Sequence, residues 1–205
     1  MRPPGKWGLL ALISTAAVAV DQWTKYLAVA RLTRALEGAG AQTLLERIRA
    51  FYGLRHLEGM ALDPYVVWGP VWRMSYVENP GAAWSLFRGM AESSRQLFFG
   101  AITVAAVIFI VHYYRKLGPG QRTLQLALAS VFSGALGNFV DRLARGYVID
   151  FIEWHWWNRP DLRWPTFNVA DSLIVVGVAL LVLHPAPRPG GQGEPAGNKT
   201  ASTDV

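Results

Sequence analysis

The sequence predicts an all-α integral membrane protein: four transmembrane helices, with a small β-rich platform and a short surface helix on one side. Three observations predict this. Hydrophobic residues make up 52% of the 205 residues, and charged residues only 17%. The apolar residues gather in blocks close to the roughly 20 residues that a helix needs to cross a bilayer. One long stretch, residues 31–95, contains no clean span and is rich in aromatic and turn-forming residues. The spans and loops form a single domain over residues 1–184, followed by a tail.

The first span covers residues 7–30, after a short basic start with Arg2 and Lys6. It begins like a signal peptide, but no small-x-small site followed by a soluble domain comes after it, so it reads as a retained helix. Near its far end, Asp21 and Lys25 lie four residues apart on one helical face, where they can pair. Within 31–95, residues 34–51 fit an amphipathic helix through Leu36, Leu44, Leu45, Ile48 and Phe51. Tyr65-Val66-Val67-Trp68 and the run Val71 to Val77 flank Gly69-Pro70 as two short strands around a turn. Their tryptophans suit a membrane interface.

Residues 97–114 form the second span and residues 123–140 the third, with the tight turn Gly118-Pro119-Gly120 between them. Ser130, Ser133, Gly134 and Gly137 are small enough to let the third helix pack closely. Residues 141–167 read as a polar, Trp-rich outer loop, and 168–184 as a short fourth span. Residues 185–205, rich in Pro and Gly, are expected to be a disordered cytoplasmic tail. Four spans put both termini on one side. Arg115, Lys116 and Arg122 crowd the short second loop, which assigns that loop and both termini to the cytoplasm. Asp21, Asn79, Asp141, Asp150 and Asp171 then gather near the outer face.

Composition removes several chemistries. Cysteine is absent, which excludes disulfides, thiolate metal sites and cysteine nucleophiles. The four histidines are scattered and no His-Glu-x-x-His occurs, so a zinc protease is not expected. There is no Gly-x-Ser-x-Gly elbow. The net charge of +6 fits membrane topology and anionic lipid better than nucleic acid, because no basic patch sits on a separate domain.

What remains is a set of aspartates. Asp150 follows the turn residue Gly146 and the apolar run Tyr147-Val148-Ile149, as though presented from an extended segment. With Asn168 as the N-cap of the last helix, Asp171 occupies its third position, where the helix dipole favours an ionised carboxylate. Two carboxylates held close share a proton and can run acid–base hydrolysis. Spacing alone leaves other readings open. Asn168 with Asp171 fits a plain helix cap, Asp141 with Arg142 a local salt bridge, Asp21 with Lys25 a packing pair, and Asp150 a solvated loop residue. Lys25 with Ser85 or Ser172 would make a Ser–Lys dyad. A small transporter or channel could line its path with Asp21, Asp141, Asp150 and Asp171.

At these residues the sequence resembles the lipoprotein signal peptidases, the bacterial type II signal peptidases. The resemblance rests on five blocks: Asp21-Gln22-Trp23-Thr24-Lys25; Asn79-Pro80-Gly81-Ala82-Ala83-Trp84-Ser85; Asn138-Phe139-Val140-Asp141-Arg142; Gly146-Tyr147-Val148-Ile149-Asp150-Phe151; and Phe167-Asn168-Val169-Ala170-Asp171-Ser172. It implies a four-helix aspartic endopeptidase of the bacterial inner membrane with a periplasmic β-cradle. Its substrate would be a diacylglyceryl-modified prolipoprotein, cleaved just before the lipidated cysteine. The catalytic pair falls on Asp150 and Asp171. Asn79 and Arg142 fall where the substrate backbone is held, and Gly81, Asn138 and Asn168 complete the substrate site. Asp21, Lys25 and Asp141 support it. The implied enzyme needs no cofactor and no metal, meets membrane lipid, binds no nucleic acid and acts as a monomer. Between Lys25 and Asn79 the chain is longer than the family usually is, with the extra length within 33–70, in the cradle region. Residues 154–164, with four tryptophans, are a candidate mobile lid.

Overall fold

The computed structural model describes residues 5–81, 91–157 and 159–184. The elements run α1 (Lys6–Leu32), α2 (Ala35–Gly38), α3 (Leu44–Gly53), β1 (Tyr65–Trp68), β2 (Trp72–Asn79), α4 (Glu92–Lys116), α5 (Arg122–Arg145), β3 (Val148–Trp156), β4 (Arg159–Arg163) and α6 (Val169–Val182). A single 3₁₀ turn, Glu58–Met60, precedes β1. The chain is mostly helical, with one small antiparallel sheet in the order β1-β2-β3-β4.

Two helices, α4 and α5, are long and apolar enough to cross a membrane. Their apolar residues are not spent on a core. Only 17% of the most apolar stretch of α4 is buried, and Leu97, Ile108 and Phe109 stand exposed. A soluble core helix would hide such a surface; a lipid-facing one leaves it outward. Helix α1 spans 27 residues, about 40 Å, and carries Asp21 and Lys25 inside. Helix α6 has only 14 residues, yet Val175, Val176 and Val178 also face outward.

The two ends of the bundle differ. At one end Lys6 donates from Nζ to the carbonyls of Arg115 (2.7 Å) and Leu117 (2.9 Å), and Tyr114 donates back to the Lys6 carbonyl. The start of α1 therefore sits beside the basic α4–α5 turn, the pairing that loop charge predicted. At the other end the sheet closes over the C-terminus of α5 and the N-terminus of α6. Tyr26, Val29, Phe51, Ile149 and Phe151 form the core beneath it.

Three stretches differ from expectation. The helix expected over 34–51 is broken into α2 and α3, because Gly40 takes a left-handed φ of 63° and Thr43 starts a new helix with a full capping box to Glu46. The outer loop expected over 141–167 is largely ordered. Helix α5 continues through it to Arg145, where Gly146 caps it at φ 85°, and β3 and β4 follow. The candidate lid, 154–164, is thus the outer end of β3 with β4, tied by Trp164 N–H to the Trp154 carbonyl at 2.9 Å. Ser85 and residues 185–205 lie outside the described residues.

Candidate active site

Asp150 and Asp171 come together because three elements converge. Strand alternation sends Ile149 and Phe151 into the core and Asp150 to the opposite face. Val77 of β2 pairs with Asp150 and Asn79 with Val148, so Asn79 and Asp150 are diagonal neighbours on one face. Asn79 Nδ2 donates to Asp150 Oδ2 at 3.0 Å. The chain then returns along β3. Phe167 exchanges backbone hydrogen bonds with Ile152 at 2.9 and 3.0 Å, which sets Asn168 beside Asp150.

Asn168 is the hinge of the site. Its Nδ2 donates to Asp150 Oδ1 at 2.7 Å, to the Ile149 carbonyl at 3.2 Å and to Asn138 Oδ1 at 3.2 Å. Its Oδ1 accepts Asp171 N–H at 2.9 Å, and its own N–H reaches Asp171 Oδ2 at 3.3 Å. The cap is present, and the same asparagine that starts α6 also joins the two aspartates. Asn138 completes the ring by donating to Asp171 Oδ1 at 2.7 Å.

A buried ion network lies beneath. Lys25 Nζ pairs with Asp21 Oδ2 (2.9 Å) and Asp141 Oδ2 (2.8 Å) and donates to Asn138 Oδ1 (3.0 Å). Asp21 Oδ1 accepts Ala170 N–H at 3.0 Å, in the first turn of α6. All three charges are fully buried, so each needs the partners it has. Asp141 does not pair with its neighbour Arg142. Its Oδ1 takes Arg145 Nη1 at 2.7 Å, one helical turn on. For Ser172 the Ser–Lys alternative does not hold, and its other serine, Ser85, lies outside the described residues. Lys25 is committed to this network, and the Ser172 hydroxyl donates to the Asn168 carbonyl.

Arg142 points elsewhere. Its guanidinium lies 5.2 Å from the centre of the Phe99 ring, and its buried Nε has no hydrogen-bond partner among the described residues. Gly81, at φ 96°, donates its N–H to Asn79 Oδ1 at 2.9 Å, and a Cβ there would strike the Phe99 ring. Gly81 and Arg142 thus both border the Phe99 ring, and Asn79 links Gly81 to Asp150. Sequence reasoning missed Gln22 and Arg145. Gln22 Nε2 reaches Asp21 Oδ2, Asp141 Oδ1 and the Gly137 carbonyl. The four-residue spacing from Asp141 to Arg145 was available as a signal.

Burial pushes the Asp150 carboxyl up to about 7, with the charge of Asp171 adding to the effect and the amides of Asn79 and Asn168 opposing it. A carboxyl in that state holds its proton up to neutral pH beside a partner carboxylate.

Comparison with known proteins places this arrangement. The pattern of the family described as Signal peptidase (SPase) II matches residues 13–186. A lipoprotein signal peptidase of Anaeromyxobacter sp. is 64% identical, over 98% of this chain and 97% of its own. Another, from Syntrophotalea carbinolica, is 36% identical over 85% of this chain and 89% of its own. Among solved structures, a bacterial membrane enzyme determined by the in meso method superposes with a TM-score of 0.61 at 29% identity, over 85% of each chain. By sequence pattern, near full-length relatives and fold, the chain belongs to the signal peptidase II family.

Proposed function

We propose that the chain is an intramembrane aspartic endopeptidase that removes the signal peptide from diacylglyceryl-modified prolipoproteins, with Asp150 and Asp171 as its catalytic pair. The observation that carries this reading is the arrangement of two aspartates, three asparagines and an arginine, whose buried Nε has no hydrogen-bond partner among the described residues, at one end of a lipid-exposed bundle. Asp150 holds the proton, since its carboxyl is raised to about 7. Asp171, at the third position of α6, is favoured as the ionised member by the helix dipole.

A water between them loses a proton to Asp171 as its oxygen bonds to the scissile carbonyl carbon. Asp150 gives its proton to the carbonyl oxygen. The tetrahedral diol then expels the amine, which takes the proton from Asp171 as the C–N bond breaks, while one hydroxyl of the diol returns its proton to Asp150, leaving the carboxyl product and both aspartates as they began. Arg142 and Asn79 hold the substrate backbone across the pair, and Gly81, packed under the Phe99 ring, fixes the Asn79 amide through its N–H. Helices α1 and α6 join α4 and α5 as spans, with the sheet and the site at the periplasmic face of the inner membrane. The closed network of Lys25, Asp21, Asp141 and Arg145 disfavours the transporter alternative. Its acids are neutralised by fixed cations rather than open to ions.

Purified protein incubated with a lipid-modified precursor should release the signal peptide, and D150N and D171N should each reduce the rate to background while remaining folded. Full activity in either variant overturns the assignment.

A further inference from the structure

Helix α3 touches the rest of the molecule sparingly. Leu44, Leu45 and Ile48 are exposed, and Phe51 is its one buried residue. Yet its last turn reaches the ion network at two points. The buried Arg145 guanidinium lies 4.0 Å from the centre of the Phe51 ring and 5.2 Å from that of Tyr52, and its Nε donates to the Phe51 carbonyl at 3.1 Å. The Tyr52 hydroxyl donates to Gln22 Oε1 at 3.2 Å.

Arg145 and Gln22 converge on one oxygen of Asp141, Oδ1, at 2.7 and 3.0 Å. Its other oxygen holds Lys25 and accepts the Ile149 N–H at 3.2 Å. Ile149 precedes Asp150 in the strand, and Lys25 reaches Asp171 through Asn138. Helix α3 is thus coupled to both aspartates through a single carboxylate. A buried guanidinium needs its donors met and its charge compensated. Here Asp141 takes Nη1, the Phe51 carbonyl takes Nε and two aromatic faces of α3 cover the cation, while Nη2 has no hydrogen-bond partner among the described residues.

We propose that α3 is a clamp on the catalytic ion network, and that Arg145 and Tyr52 are positioning residues that fix Asp141 and, through it, the pair of aspartates. The proposal rests on the peptidase reading above. It assigns α3 a role in kcat rather than in holding substrate, because the contacts of these two residues run to Asp141, Gln22 and α3 itself rather than to Asn79, Asp150 or Asp171. It also has an electrostatic side. Lys25 on α1, Arg142 on α5 and Asp171 on α6 are the charges that act on Asp150, β2 and the start of α6 offer it the neutral Asn79 and Asn168, and Arg145 belongs to the same buried set through Asp141. Removing Arg145 leaves the set one positive charge short, which favours the protonated form of Asp150.

The test is steady-state cleavage of a lipid-modified precursor peptide by full-length protein in lipid nanodiscs. R145M should lower kcat about 100-fold with KM within about twofold, and should move the alkaline fall of the pH–rate profile upward by about half a unit. R145K should recover at least about tenfold of the loss, because it restores the charge and one donor. Y52F, which keeps the ring and removes one hydroxyl, should lower kcat about three- to tenfold without loss of folded protein. Failure of the wild type to cleave overturns the peptidase reading and this proposal with it. Wild-type cleavage with unchanged kcat in Y52F and R145M, or losses that follow stability with an unmoved pH profile, overturns the clamp alone.

Discussion

At the scale of single residues, the three site asparagines have their amide orientations dictated by donors that admit no alternative. Gly81 N–H fixes Asn79 Oδ1, Asp171 N–H fixes Asn168 Oδ1, and the Lys25 ammonium fixes Asn138 Oδ1. Each amide NH₂ is therefore aimed at Asp150 or Asp171. N168A removes a cap and the join between the aspartates together. It should cost about 0.5–2 kcal/mol of stability, measured by thermal unfolding, and lower cleavage at least about 100-fold. Asp150 also makes a prediction in pH. Its carboxyl rises from 3.8 in a free chain to about 7 when folded, so between those values the folded protein holds a proton that the unfolded chain has lost. Stability from this group is greatest below about pH 4 and declines as pH rises to about 7, by at most about 4 kcal/mol. Melting temperatures taken across that range should show the decline in wild type and its absence in D150N.

Among the elements, α5 carries the greatest share of the site. It presents Asn138, Asp141, Arg142 and Arg145 from its last two turns and packs against α6 at positions that tolerate no side chain. A Cβ on Gly137 would stand 2.6 Å from Asp21 Oδ2, and one on Gly134 would meet the Ala170 carbonyl. G137A must therefore push α1 away or displace the Asp21 carboxylate from Lys25 and Ala170 N–H. It should destabilise by about 1–3 kcal/mol and reduce cleavage at least tenfold; a fully active G137A would contradict this packing. The sequence marked Gly137 as a packing glycine from its small-residue pattern. It did not reveal that the packed object is a charged side chain of another helix, because periodicity reports which face is small and not what meets it.

For the whole molecule, the outward apolar faces of α4 and α6, together with a site buried at one end, describe a protein solvated by lipid. The absence of cysteine makes the proposed orientation directly measurable. Gly120→Cys, in the α4–α5 turn, and Gly59→Cys, before β1, both fall where a side chain meets nothing within 4 Å. In intact cells an impermeant maleimide should label Gly59→Cys and spare Gly120→Cys. Labelling of both from outside would contradict the four-span arrangement. The start of α1 packs against the carbonyls that follow α4, so those two segments must share a side, whichever it is.

Much of this was legible in the sequence. Block length marked the apolar segments that form α1, α4, α5 and α6, although α4 starts five residues before its expected span and α5 ends five residues beyond its own. The strands of β1 and β2 followed from Gly69-Pro70 between β-formers. The motif blocks, through the family resemblance, pointed to Asp21, Lys25, Asn138, Asp141, Asp150, Asn168 and Asp171, which the structure joins by hydrogen bonds and ion pairs, while residues 82–85 of one block lie outside the described residues. All of these are local properties, carried by side-chain pattern and backbone preference over a few turns of chain. The break between α2 and α3, the extension of α5 to Arg145, the growth of a loop into β3 and β4, and the choice of Arg145 over Arg142 as the partner of Asp141 were decided by tertiary structure. Each depends on a contact between segments far apart in sequence. The energy of a buried charge is set by every partner that burial brings to it, and no local window contains those partners.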